Sequence, residues 1–417
     1  MTLIGYHASH EQFLPSELLG YVQAAEAAGF DAVMSSDHLT PWSERQGQSG
    51  FAWAWLGAAL QATRSIPFGI ITVPMGWRYH PAITAQAGAT IAEMFSGRLP
   101  WIAVGSGQAM NEHVIGERWP SKAERNERLG AAVEIIRDLW AGKLVSRSEP
   151  IKVDQARVHT LPDRLPRIIA GALSPETAEW AGGWADALIT INQPPDKLGQ
   201  VVDAFRRGGG KEKPLYLQTH VSYAGSEEEA RASAFDQWRS NAISAAISET
   251  LRLPREFDEA CLKVRPEDMD EHVRISADPQ QHVEWLKADV AMGFEEIYIH
   301  NVGRNQREFI KAFGREVLPA FRVGGPAAAP DRAIRGDLGA GQVSADEDFN
   351  QCGWSSSPPT VACPKEVSCS RSTPTPGSPS ASFYFRSPAI GCLAGLLLSA
   401  SNRATVKPLI SMPTSWR

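Results

Sequence analysis

An acid, an imidazole and an indole fall within six positions, at Asp37, His38 and Trp42. They follow the mostly apolar run from Phe30 to Met34, which is bounded by Gly29 and reads as a buried strand ending in Ser35-Ser36. A strand end is where an α/β enzyme keeps its chemistry, because there the chain leaves the core with its polar groups facing a common opening. The competing reading is an ordinary turn, in which Asp37 caps backbone amides and Trp42 packs beneath it. Other strand ends carry similar groups: His7 after the first, Gln218 and His220 on the seventh, His300-Asn301 after the eighth. Imidazole titrates near neutral pH, so four histidines on one rim favour a functional rim over scattered core residues.

Two other strand ends suit a phosphate. Gly171-Ala172-Leu173 lacks a bulky polar side chain, and Ser174-Pro175 opens a helix whose first amides point at that loop. Gly105-Ser106-Gly107 allows close backbone approach, although a lone Gly-x-Gly is more often a tight turn. Trp42, Trp77 and the stretch from Phe51 to Trp55 offer flat walls for a planar ring, with the close spacing of Trp53 and Trp55 also typical of core.

The elements that must position these groups follow a strand-then-helix rhythm. Strands are expected at Ile4–His7, Phe30–Ser35, Phe68–Val73, Trp101–Val104, Arg167–Ala170, Ala187–Ile191, Leu215–Val221 and Glu296–His300. Helices are expected from Pro15 to Gly29, Trp53 to Thr63, Pro81 to Phe95, Lys122 to Trp140, after Ser174, from Pro195 to Arg207, after a capping box at Ser226–Glu229, after Asp278 and from Gln306 to Phe321. Eight strands, each followed by a helix, predict an α/β chain folded as a TIM (β/α)8 barrel. Residues 143–166 and 240–278 interrupt the rhythm, and such insertions roof the catalytic end of a barrel or decorate its surface.

The chain has 417 residues, 43% of them hydrophobic and 21% charged, enough apolar material for a large core. Its net charge of -6 and pI near 6.0 argue against nucleic acid or an acidic membrane as partner and favour a small-molecule substrate. The N-terminus enters a strand with no basic and apolar leader, which predicts a cytoplasmic protein. Cys261 is the one cysteine before residue 320, so the body has no disulfide framework and no cysteine cluster spaced for a metal. Near Gly324 the composition turns rich in Ser, Pro, Gly and Thr, which divides the chain into a barrel domain at 1–323 and a low-complexity tail at 324–417 expected to be disordered. The apolar run from Ala389 to Ala400 is too short to span a bilayer.

Several stretches, in this order, resemble the luciferase-like monooxygenase superfamily, in particular its branch around the deazaflavin-dependent glucose-6-phosphate dehydrogenases. They are Gly5-Tyr6-His7-Ala8-Ser9-His10-Glu11-Gln12-Phe13, Ser36-Asp37-His38 with Pro41-Trp42, Arg78-Tyr79-His80-Pro81-Ala82, Gly105-Ser106-Gly107-Gln108-Ala109-Met110-Asn111-Glu112, Ser276-Ala277-Asp278-Pro279 and His300-Asn301. The resemblance spans about residues 3 to 322. It implies a homodimeric barrel binding FMN or coenzyme F420, an 8-hydroxy-5-deazaflavin, at the C-terminal strand ends. By the same resemblance Asp37 and His38 face the reactive ring and the substrate carbon, with His38 taking a hydroxyl proton, Asp37 orienting it and Trp42 packed beside the transferred hydride. Thr72 and Val73 fall where the family places a strained peptide behind the ring. Gly107 and Asn111 would line the cofactor, and Gly171, Ala172, Leu173 and the helix after Ser174 would take its phosphate.

The chain also departs from that pattern. Gln108 stands where the dehydrogenases carry a carboxylic acid, and an amide can bond a ring nitrogen but cannot give up a proton, so acid catalysis there is lost or passes to Glu112. One extra residue between Arg98 and Gln108, with Pro100 in a would-be strand, puts the register in question. Basic residues to grip a sugar phosphate are not evident, which argues against glucose 6-phosphate. The expected activity is hydride transfer between a small organic substrate and a flavin or deazaflavin. The alternatives are a two-component FMN-dependent monooxygenase using O2, or a catalytically silent flavin-binding protein.

Overall fold

In the computed structural model, which describes residues 2–322, eight parallel strands close on themselves. In chain order the elements are β1 (Leu3–Ala8), α1 (Pro15–Ala28), β2 (Ala32–Ser36), α2 (Ala52–Ala62), β3 (Phe68–Pro74), α3 (Pro81–Met94), β4 (Trp101–Gly105), α4 (Ala109–Glu112) and α5 (Lys122–Trp140). There follow β5 (Val145–Arg147), β6 (Val153–Ala156), β7 (Arg167–Gly171), α6 (Pro175–Gly182), β8 (Leu188–Ile191), α7 (Pro195–Phe205), β9 (Leu215–Ser222) and α8 (Glu227–Trp238). The chain ends its described part with α9 (Ala245–Ser248), α10 (Pro254–Ala260), β10 (Arg274–Ile275), α11 (Pro279–Ala291), β11 (Glu296–Asn301) and α12 (Gln306–Ala312). The barrel order is β9-β11-β1-β2-β3-β4-β7-β8, closed by the β8–β9 pairing, and β10 adds a short parallel pairing to the end of β9. This is a TIM barrel, with all eight expected strands present. The predicted boundary at residue 323 and the tail beyond it lie outside the described residues.

Both faces of these strands are buried, which is why they read as near-continuous apolar runs. Alternate residues point in and out. Ala32, Met34, Trp101, Ala103, Ile169 and Tyr298 pack together inside the barrel, while Val33, Phe68, Ile70 and Ile102 join the larger core beneath the helices. Two glycines make room for the interior aromatics: a Cβ at Gly69 would come 2.1 Å from the Trp101 ring, and one at Gly5 2.4 Å from the Tyr298 ring.

Helix starts follow their capping chemistry. Ser174 and Asp278 accept from backbone amides of α6 and α11, and Ser121 with Glu124 forms a reciprocal box on α5. At α8 the expected box is half made, since Ser226 accepts from the Glu229 amide without a return bond. Pro100 lies just before β4, not in it, and its carbonyl accepts from the Arg167 amide, so no proline interrupts the ladder.

The insertions divide their labour. Residues 143–166 fold as the antiparallel pair β5–β6, and none of them reaches the cleft at the C-terminal strand ends. The segment after α8 does reach it through Asn241, and it holds the loop following β2: Phe257 packs edge-on against Trp42 at 5.6 Å, and Asp258 pairs with Arg45 at 2.6 Å.

Candidate active site

A cleft of about 330 Å³ opens where the barrel strands end. It gathers His7 from β1, Asp37 and His38 after β2, Thr72 from β3, Gly107 and Gln108 after β4, Gly171 from β7, Thr190 from β8, His220 from β9 and His300 from β11. The four rim histidines therefore share one space.

Asp37 is 1% exposed, and its Oδ1 accepts from the Tyr79 hydroxyl at 3.0 Å and from Arg78 Nη2 at 3.3 Å. The same Arg78 donates from Nε to Glu112 Oε1 at 3.2 Å and from its backbone amide to Glu112 Oε2 at 3.1 Å. One guanidinium thus serves two buried carboxylates. Burial pushes both carboxyls above their ordinary range, with Arg78 pulling the other way. Glu112, the expected substitute acid, lines the cleft but is engaged by this arginine.

His38 has a different partner from the one expected. Asp37 makes no hydrogen bond to it; instead His38 Nε2 lies 3.6 Å from Glu11 Oε1. Glu11 is 4% exposed, and its Oε2 accepts from the hydroxyls of Ser9 and Ser36, each at 2.8 Å. Burial opposes its charge, but His38, His7, its own backbone amide and the Ser36 hydroxyl together outweigh burial and leave it below the usual carboxylate range. Glu11 is therefore an anion at neutral pH. On the other side of the ring, Asn111 Nδ2 approaches His38 Nδ1 at 3.3 Å and donates to Gln108 Oε1 at 3.2 Å. Asn111 Oδ1 accepts from the Leu39 and Thr40 amides, so Asn111 positions the His38 loop. Trp42 packs against the His38 ring, with centroids 5.0 Å apart.

The remaining expected residues separate into two groups. Gly107 (φ 84°), Gln108, Thr72, Gly171 and the exposed Leu173 line the cleft. Val73 and Ala172 are buried and do not line it, and the Ser174 hydroxyl is spent on capping α6. The non-proline cis peptide joins Ile71 to Thr72, one residue before the expected place. Of the aromatic walls, only Trp42 lines the cleft; Trp53 and Trp55 are core, Trp77 is covered by Arg128 at 4.2 Å, and Phe51 is exposed. Sequence reasoning missed Glu11, Arg78, Tyr79, Trp238 and Asn241 as site residues, although Glu11 and Arg78-Tyr79 stood inside its motifs.

The cleft suits a flat heteroaromatic group with polar edges. A Cβ at Gly105 would come 2.5 Å from the Thr72 methyl, so only glycine keeps that wall flat. Asp37 Oδ2 and Thr190 Oγ1 are buried at the cleft with no hydrogen-bond partner.

The family model described as luciferase-like monooxygenase matches residues 2–296. The chain belongs to that family. An F420-dependent glucose-6-phosphate dehydrogenase of Microbacterium testaceum is 33% identical over 328 residues, 76% of this chain and 97% of the relative. One of Nakamurella multipartita is 33% identical over 332 residues, 76% of this chain and 96% of the relative. Among solved structures, an F420-dependent secondary alcohol dehydrogenase with an F420-acetone adduct aligns with a TM-score of 0.72 and 29% identity, covering 77% of this chain and 99% of that one. The F420-dependent tetrahydromethanopterin reductase of Methanopyrus kandleri shares the fold, with a TM-score of 0.63 at 20% identity over 77% of this chain and 99% of that one. This luciferase-like protein is an enzyme, a flavin- or deazaflavin-dependent oxidoreductase whose cofactor is F420 or FMN. No helix among the described residues is long and apolar enough to cross a membrane.

Proposed function

We propose that the chain is an F420-dependent dehydrogenase acting on the carbinol carbon of a small uncharged alcohol. The observation that carries this reading is the His38–Glu11 pair, 3.6 Å apart at the cleft beside Trp42. F420, when bound, supplies a hydride acceptor. As the carbon gives up its hydride, the hydroxyl proton passes to the His38–Glu11 pair, whose buried carboxylate stabilises the added positive charge. Gln108 favours the alternative of a silent binding protein, but this proton path does not pass through Gln108.

Charge supports an uncharged substrate. Among the described residues Arg78 is the only arginine or lysine lining the cleft, and two carboxylates already hold it. Arg274 is bound by Asp289 at 2.5 Å and 2.8 Å, so it is not free to grip a phosphate. The names of the F420-dependent relatives and of the secondary alcohol dehydrogenase support F420 over FMN. The same reading includes a cytoplasmic homodimer acting on a small molecule, consistent with the free thiol of Cys261.

The test is anaerobic mixing of the protein with oxidised F420 and either 2-propanol or glucose 6-phosphate, followed by the deazaflavin absorbance. Bleaching with the alcohol and not with the phosphate is expected. No bleaching with any alcohol, together with an oxygenated organic product when reduced FMN and O2 are supplied, would replace this reading with the monooxygenase.

A further inference from the structure

Besides His38 the cleft holds three more imidazoles. The His7 and His300 ring centroids are 4.4 Å apart, and those of His220 and His300 5.5 Å. Hydrogen-bond polarity fixes the proton on one of them. A carboxylate only accepts, so Gln237 turns its Nε2 toward Asp236 Oδ2 at 2.6 Å and leaves its Oε1 to accept from Gln12 Nε2 at 3.2 Å. Gln12 Nε2 also donates to the Val302 carbonyl at 2.8 Å, which directs the Gln12 Oε1 at His300 Nε2, 2.9 Å away. Two acceptors cannot bond, so His300 Nε2 carries the hydrogen and, in the neutral ring, Nδ1 is a bare lone pair.

His300 is 2% exposed, lines the cleft, and its Nδ1 meets no donor from the protein. Burial, reinforced by His7 and His220, keeps the ring neutral. The Trp238 ring packs nearly perpendicular to it, with centroids 4.7 Å apart.

We propose that His300 Nδ1 is a recognition site for an N–H or O–H donor of a bound ligand, with Gln12 as the positioning residue that fixes its tautomer. A buried acceptor left unpaired is costly, so the site favours a ligand that brings a donor over one that brings a methyl or a carbonyl. Two donors fit that chemistry: the imide N–H of a flavin or deazaflavin ring, and a second hydroxyl on the alcohol substrate. The identity of the ligand rests on the function proposed above; the tautomer does not.

Nitrogen-15 NMR of the imidazoles in the full chain without ligand, with His300→Phe used to assign the signal, tests the tautomer directly. A protonated Nε2 and a bare Nδ1 are expected, and a protonated Nδ1 overturns the proposal. Gln12→Leu is expected to release the ring into a mixture of tautomers. F420 binding followed by its fluorescence, and kcat/KM for 2-propanol against 1,2-propanediol, then identify the donor in wild type and His300→Phe. A rise of about tenfold or more in the F420 Kd assigns the ring imide, and a similar loss confined to the diol assigns the substrate hydroxyl. If the variant changes neither, the site does not recognise a donor. If wild type binds no F420, the functional reading fails, and the tautomer together with the same titration using FMN decides the role of His300.

Discussion

The two nitrogens of His38 meet opposite chemistry: the Glu11 carboxylate at Nε2, and the Asn111 amide with the Thr40 carbonyl at Nδ1. An imidazole held in this way keeps its plane and presents an N–H to Glu11, so a proton added to the site is shared by the pair. His38→Ala is expected to lower kcat by about 10²–10⁴ while F420 binding is retained, and Glu11→Gln to lower kcat with little change in alcohol KM. Steady-state kinetics with a fluorescence binding assay checks both. Arg78→Met leaves Asp37 and Glu112 buried without their counter-charge and is expected to cost about 3–5 kcal/mol by urea unfolding. An unchanged midpoint would mean that the two carboxyls are already protonated. At this scale the sequence was partly legible. Asp37, His38 and Trp42 stood out because they are adjacent in the chain. Glu11 did not, because its pairing with His38 spans two strand ends and exists only once β1 and β2 lie side by side.

Among the elements, the loop after β2 depends on a segment two hundred residues away. Gln46 Nε2 donates to the Gln237 carbonyl at 3.0 Å, Asp258 accepts from the Glu44 amide at 3.0 Å, and Phe257, fully buried, backs the Trp42 ring. Phe257→Ala removes that backing. It is expected to cost about 3–5 kcal/mol and to depress kcat/KM beyond what the stability loss explains, measured where the variant is still folded. Normal kcat/KM would show that Trp42 is held by the loop alone. The strands were legible because burial on both faces makes them continuous apolar runs, and the long helices because of their caps. The β5–β6 pair was not, since only Val145 and Val153 are buried in it and the rest carries no apolar pattern. Val73, Ala172 and Ser174 were placed by their position in a motif, but a one-residue step along β3 turns Val73 away from the cleft, Ala172 is buried after β7, and the Ser174 hydroxyl caps α6.

For the whole molecule, acid sensitivity follows from the buried histidines. Burial lowers His7, His10 and His282 to about 4 from an ordinary 6.5. The unfolded chain binds these protons first, so stability is intact above about pH 6.5 and falls as pH drops toward 4, on the order of 1 kcal/mol per pH unit for each residue. The urea midpoint is expected to fall between pH 7 and pH 5, and a flat profile would refute the assignment. A chain ending at residue 322 is expected to bind F420 like the full chain, because 76% of this sequence already matches 97% of the Microbacterium testaceum relative. Loss of binding on truncation would give the C-terminal segment a role in the site.

The most direct test of the whole account is the anaerobic rate at which a secondary alcohol bleaches bound F420, compared between wild type and His38→Ala at equal cofactor occupancy. Alcohol-dependent bleaching that falls by about 10² or more in the variant is the predicted result. Equal rates in the two proteins, or bleaching that needs no alcohol, would contradict it.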